Sequence, residues 1–138
     1  MRRLLFLNLF FSLFICFSCS ESIVSSFKKS VNDADKIKIY FYKNGESSER
    51  IESIISVDNK DEIKKFIDCI TDEDAPFYKC GFTGSAELFK NNESLINMEF
   101  NIKSGCCHII FKFRETMFSK KISDEGINLI NQYIAKSK

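Results

Sequence analysis

From Lys36 onward the chain alternates between apolar and polar positions. Ile37, Ile39 and Phe41 fall on one side while Lys38, Tyr40 and Tyr42 fall on the other, the period of a half-buried strand. Asn44-Gly45 is a turn signal, and Arg50 to Val57 is a second strand-like run, so the pair reads as a hairpin with a loop of several residues. The pattern then changes. Asn59 is a good helix N-cap, Glu62 completes a capping box, and Ile63, Phe66, Ile67 and Ile70 fall at i, i+3, i+4 and i+7 on one stripe. Lys64, Lys65 and Asp68 take the wet side, and Thr71 to Lys79 reads as an acidic loop containing Pro76.

Three strands follow. Phe82, Ala86 and Leu88 share one face; Ile96, Met98, Phe100 and Ile102 share the next; Cys107, Ile109, Phe111 and Phe113 share the third. Reading Ser104-Gly105 as a two-residue hairpin connection sets Phe100 beside Ile109 and Met98 beside Phe111, which keeps the apolar faces together. Met117 to Ile122 adds a short optional strand. Ser123 caps a last helix with Asp124 and Glu125 in its first turn and Ile127, Ile130 and Ile134 as its apolar positions, flanked by Leu129 and Tyr133. The expected order is β-β-α-β-β-β-(β)-α. It implies an α+β two-layer domain: an antiparallel sheet of five or six strands with two helices on one face.

The N-terminal part is of another kind. Ser20 to Lys36 is polar, serine-rich and without sustained period, which reads as a flexible tether; the competing reading is a short helical turn carrying Ile23, Val24 and Phe27. Before it, Met1, Arg2 and Arg3 precede an apolar run from Leu4 to Phe17 interrupted only by Asn8 and Ser12. That run is short of the ~20 residues that span a bilayer and has the flanks of a secretory signal. Its ending, Phe17-Ser18-Cys19, resembles a bacterial lipobox, with Cys16 as the departure from the usual aliphatic position. The resemblance implies that Cys19 is acylated and becomes the mature N-terminus. The division expected is therefore a signal over 1–18, a lipidated cysteine and tether over 19–35, and a small α+β domain over 36–138.

Composition and charge narrow the functions. Without Arg2 and Arg3 the mature chain holds 18 basic and 19 acidic side chains, with lysines scattered among acids, so no nucleic-acid footprint is expected. One proline and no tryptophan argue against a proline-rich spacer or a tryptophan-lined carbohydrate platform. Beyond the signal, Cys69, Cys80, Cys106 and Cys107 remain, and in an oxidising compartment they point to disulfides. Cys80 with Cys106 or Cys107 is slightly favoured. In a linear meander those strands lie about 10 Å apart, beyond the ~7 Å Cα limit, so that bridge needs a bend. Cys69 with Cys80 is the alternative, closing the acidic loop.

Cys106-Cys107-His108 invites a metal reading with Cys69 or Cys80, but no C-x-x-C pair is present and strand neighbours point apart, so no metal and no cofactor is expected. His108 reads as a surface histidine beside Ile110 and Lys112. A Cys107-His108 nucleophile pair fails on the same geometry. Glu87 and Glu99 on the outer sheet face are weak catalytic evidence, and no phosphate loop or dinucleotide fingerprint occurs. The expectation is an exported cell-envelope protein, lipid-anchored to the inner or outer membrane. Its role would be non-enzymatic, either binding an unidentified protein partner or serving the envelope structurally. Tyr40, Tyr42, Leu95 and Ile110 offer an amphipathic outer face. The alternative is a metal- or thiol-active periplasmic protein using Cys80, Cys106, Cys107 and His108.

Overall fold

The structure is a computed structural model and describes residues 21–43, 50–77 and 79–137. The signal segment, Cys19 and the Asn44-Gly45 turn lie outside the described residues. Among the described residues ten elements follow one another: α1 (Ile23–Ser30), β1 (Lys36–Tyr42), β2 (Ile51–Val57), α2 (Lys60–Asp68), β3 (Ile70–Asp74), β4 (Gly84–Lys90), β5 (Glu93–Asn101), β6 (His108–Phe113), β7 (Thr116–Ile122) and α3 (Asp124–Lys136). The strands form one antiparallel sheet in the order β2-β1-β4-β5-β6-β7-β3, and the helices bury their apolar stripes against one face of it. The α+β architecture is the one expected, with seven strands rather than five or six and three helices rather than two.

Register follows from face parity. Met98 pairs with Phe111 and Phe100 with Ile109, as the alternation requires, and Ala86 faces Met98 on the other side. The inner face of the sheet therefore carries Ile37, Ile39, Leu88, Met98, Phe100, Ile109 and Phe111, all essentially without solvent contact. Ile63, Phe66 and Ile67 of α2 and Ile130 and Tyr133 of α3 close over them. Asn59 caps α2 through its side-chain oxygen, which accepts from the amides of Asp61 and Glu62, and Ser123 caps α3 by accepting from Gly126.

Two segments depart from the sequence-based expectation. The stretch expected to be a tether contains α1, with Ser22 as its N-cap. Val24, Phe27, Val31 and Ala34 are buried, and the Phe27 ring stacks on Phe111 with centroids 4.2 Å apart and meets Phe113 edge-on at 5.8 Å. Val24, Phe27 and Val31 fall at i, i+3 and i+7, a stripe that docking on the sheet makes worthwhile even though the segment is otherwise serine and lysine. The second departure is the acidic loop, whose first part is the edge strand β3. Ile70 leaves the α2 stripe and pairs with Ile122, while Asp74 pairs with Lys120. Opposite charge holds this edge: Lys120 Nζ lies 2.6 Å from Asp74 Oδ1 and Lys121 Nζ 2.6 Å from Glu73 Oε2. Lone acids on an exposed edge also discourage pairing with another chain.

Candidate functional site

The β3-to-β4 connection places the cysteines and the histidine. β3 is the outermost strand beside β7, yet β4 lies beyond three intervening strands, between β1 and β5. The chain must therefore cross β7, β6 and β5, and it does so on the outer face, opposite the helices. Ser119 Oγ donates to the Pro76 carbonyl at 3.2 Å, Phe82 lies against the His108 ring at 5.8 Å, and Thr83 N donates to the Phe100 carbonyl at 2.9 Å. This crossover covers one end of that face, where Ser85, Asn101, His108, Ile110 and Ser119 are all buried.

Cys80 and Cys106 are bridged, with Sγ atoms 2.00 Å and Cα atoms 6.6 Å apart. The spacing between alternate strands is not the obstacle it would be inside the sheet, because both cysteines stand before their strands, Cys80 ahead of β4 and Cys106 ahead of β6. The crossover bends over the end of β5, where Asn101 Nδ2 donates to the carbonyls of Gly81 at 2.9 Å and Cys80 at 3.4 Å. Gly81 makes the bend with φ +69°. The bridge pins the crossover to the β5–β6 turn, whose Cys106 amide donates to the Lys103 carbonyl at 2.9 Å.

The other candidates separate. Cys107 is a partly buried thiol whose Sγ lies 3.4 Å from the Lys103 carbonyl. Cys69 is a free thiol at the C-terminus of α2, packed against Gly126 and donating to the Lys65 carbonyl at 3.0 Å. Burial pushes the Cys69 thiol up from its ordinary value, the reverse of what a reactive thiolate needs. His108 is not on the surface: it is fully buried, and its Nδ1 lies 2.7 Å from the Cys106 carbonyl oxygen. Parity correctly gives its face; the crossover that covers it was not foreseen. Among the described residues no group of three or more His, Cys, Asp or Glu side chains is placed to share a metal ion.

Glu87 and Glu99 do share the outer face. Glu87 Oε1 accepts from Ser94 Oγ at 2.5 Å, and Glu99 sits between Ser85 and Ile110, where burial raises its carboxyl above the usual range. Beyond the crossover this face is open and carries Tyr40, Ile54, Leu95 and Met117; Ile54, Leu95 and Met117 are 40–55% exposed. Tyr42 and Ile110, expected to join them, are buried.

A second feature was not anticipated, because it needs α1 to be folded. Between α1 and α2 lies a cleft of about 440 Å³ whose rim carries Lys28, Lys29, Lys60 and Lys64 against Asp68 and Asp72. Its floor is apolar, formed by Val24, Ala34, Ile63 and Ile67. Lys28 Nζ donates to the Asp68 carbonyl at 3.1 Å, Lys64 Nζ lies 2.6 Å from Asp68 Oδ2, and Lys29 Nζ lies 2.6 Å from Glu21 Oε1. The Lys29 contact and a hydrogen bond from Ser25 Oγ hold the Glu21 carboxyl below its ordinary range.

These features define a class: a two-layer α+β domain with a disulfide-pinned crossover on its outer sheet face and a lysine-rimmed cleft in its helix layer. No family model, no curated protein and no solved structure matches the chain.

Proposed function

We propose that the protein is an exported cell-envelope protein, anchored to a bacterial membrane through a lipid on Cys19. Its role on this reading is non-enzymatic: binding another envelope protein or serving the envelope structurally. The observation that carries the reading is the Arg2-Arg3, Leu4-to-Phe17, Phe17-Ser18-Cys19 succession, a signal with a lipobox-like end. The Cys80–Cys106 bridge supports it, since such bridges persist in oxidising compartments. The open part of the outer face, with Tyr40, Ile54, Leu95 and Met117 among charged residues, is the surface that would meet a protein partner. Metabolic labelling with a radioactive fatty acid tests the anchor. Label should enter the wild type and be absent from Cys19→Ala, and label persisting in the variant would place the anchor elsewhere. Cross-linking and pull-down from the native envelope test the partner. Thiol counting on the unreduced, denatured protein tests the bridge: two free thiols, Cys69 and Cys107, are expected in the mature domain, and four would revive a thiol-active role.

A further inference from the structure

We propose that the α1/α2 face, with its lysine-rimmed cleft, lies against an anionic phospholipid surface when the chain is anchored. The inference rests on the Cys19 anchor proposed above and adds which side of the domain meets the lipid.

The first argument is reach. Glu21 is already fixed to the domain: its Oε1 lies 2.6 Å from Lys29 Nζ and accepts from Ser25 Oγ at 3.0 Å, and Ser22 is the N-cap of α1. Only Ser20 separates Glu21 from Cys19. Two Cα steps span at most about 8 Å. The headgroup layer on each side of a bilayer is itself roughly 5–8 Å deep. A domain tied that closely cannot stand off on a tether; whatever surrounds Glu21 rests at the headgroups.

The second argument is charge. What surrounds Glu21 is the cleft rim, since Lys29 is one of its walls, and Lys28, Lys60 and Lys64 continue it across to α2. Four ammonium groups against Glu21, Asp68 and Asp72 leave this rim one positive charge in excess, although the mature chain as a whole is slightly negative. Lys29 and Lys64 pair with Glu21 and Asp68, yet 74% and 66% of their side chains are exposed, so a lipid phosphate can still reach their ammoniums. Juxtamembrane lysines are drawn to anionic leaflets in this way. The outer sheet face, on the far side of the sheet from α1, is then turned away from the lipid and left open to a partner.

The test uses the lipidated protein reconstituted in vesicles containing phosphatidylglycerol, in vesicles of phosphatidylcholine alone, and in detergent. An amine-reactive probe is read lysine by lysine by mass spectrometry. Lys29, Lys60 and Lys64 should be modified at least about threefold more slowly on the anionic vesicles, with protection lost on phosphatidylcholine and near 1 M salt. Lys79 and Lys103, at the Cys80–Cys106 end of the molecule, should react alike throughout. Lys60→Gln/Lys64→Gln, two exposed changes, should release the protection of Lys29. Uniform labelling of a lipidated protein overturns the proposal and leaves the anchor standing, as does protection of Lys112 instead. Equal protection by inorganic phosphate in detergent would make the cleft a soluble-anion site and also overturn it. Absence of the lipid mass on Cys19 overturns the anchor, and this inference with it.

Discussion

Phe27 tests whether the N-terminal helix belongs to the core. Its side chain has no solvent exposure and touches two aromatic rings, with centroids 4.2 and 5.8 Å away. Truncating a buried phenylalanine to alanine costs about 3–5 kcal/mol, and loss of aromatic pairing contributes ~0.5–1.5 kcal/mol of the effect. α1 lies at the margin of the helix layer and can partly collapse into the gap, which favours the lower end. About 3 kcal/mol is expected for Phe27→Ala, a large share of the ~5–15 kcal/mol that holds a small domain together. In a chain of this size that lowers Tm by roughly 10 °C. The assay is urea unfolding of the Cys19→Ser mature chain with its disulfide intact, followed by circular dichroism, beside Lys29→Ala as an exposed control. The control should stay within about 0.5 kcal/mol of wild type. A Phe27→Ala effect below ~1 kcal/mol, or tryptic cleavage after Lys28 or Lys29 that leaves the transition unchanged, would refute the packing of α1.

The remaining expectations concern the sheet, the last helix and the bridge. Gly84→Ala should cost at least about 2–3 kcal/mol by urea unfolding, because a Cβ there would sit 2.3 Å from the Tyr40 carbonyl oxygen, a backbone atom that cannot turn aside; a cost near zero would mean β1 and β4 are not paired as described. Tyr133 is pushed up to about 12 by burial and by the Glu62 carboxylate beside its hydroxyl. Its stabilising contribution is complete below the unfolded value near 10 and is lost as pH rises toward 12. Absorbance titration should find Tyr133 ionising late, and Tyr133→Phe should flatten that alkaline loss; identical curves would contradict it. Cys80→Ser should cost roughly 3 kcal/mol by the chain-entropy account of a bridge between residues 26 apart, and reductant should add nothing further in the variant.

How much was legible depended on whether a segment carried its own period. β5 and β6 did: their alternation and the Ser104-Gly105 turn fix Met98 opposite Phe111 without reference to the rest of the molecule. β7 was read only as optional, because its turn residues, Arg114 and Glu115, adopt φ of +49° and +64° without the glycine or asparagine that marks such a turn. The β4–β5 turn uses the same backbone with Asn91 and Asn92, a residue type that tolerates it. β3 has no alternation and three consecutive acids; it is a strand because Lys120 and Lys121 lie next to it, which only the fold brings about. α1 had its stripe in view, Val24, Phe27 and Val31, but the serines around it carry little helix signal. At the candidate site the Cys80–Cys106 pair was within reach of sequence reasoning, and the burial of His108 was not. Alternation tells which face a residue takes but not whether a loop from elsewhere lies over it.

The bridge sits at the β5–β6 turn, while Glu21 lies near Arg114 at the β6–β7 turn, so the two are at opposite ends of β6. A seven-strand sheet with β3 added at its edge needs one connection across three strands, and that connection has little local structure of its own to hold it. The Cys80–Cys106 bridge and the Asn101 side chain supply that hold at the β5–β6 end. Among the described residues the covalent fastening thus falls on a connection that the ladder of neighbouring strands leaves unheld, and it keeps the crossover over His108.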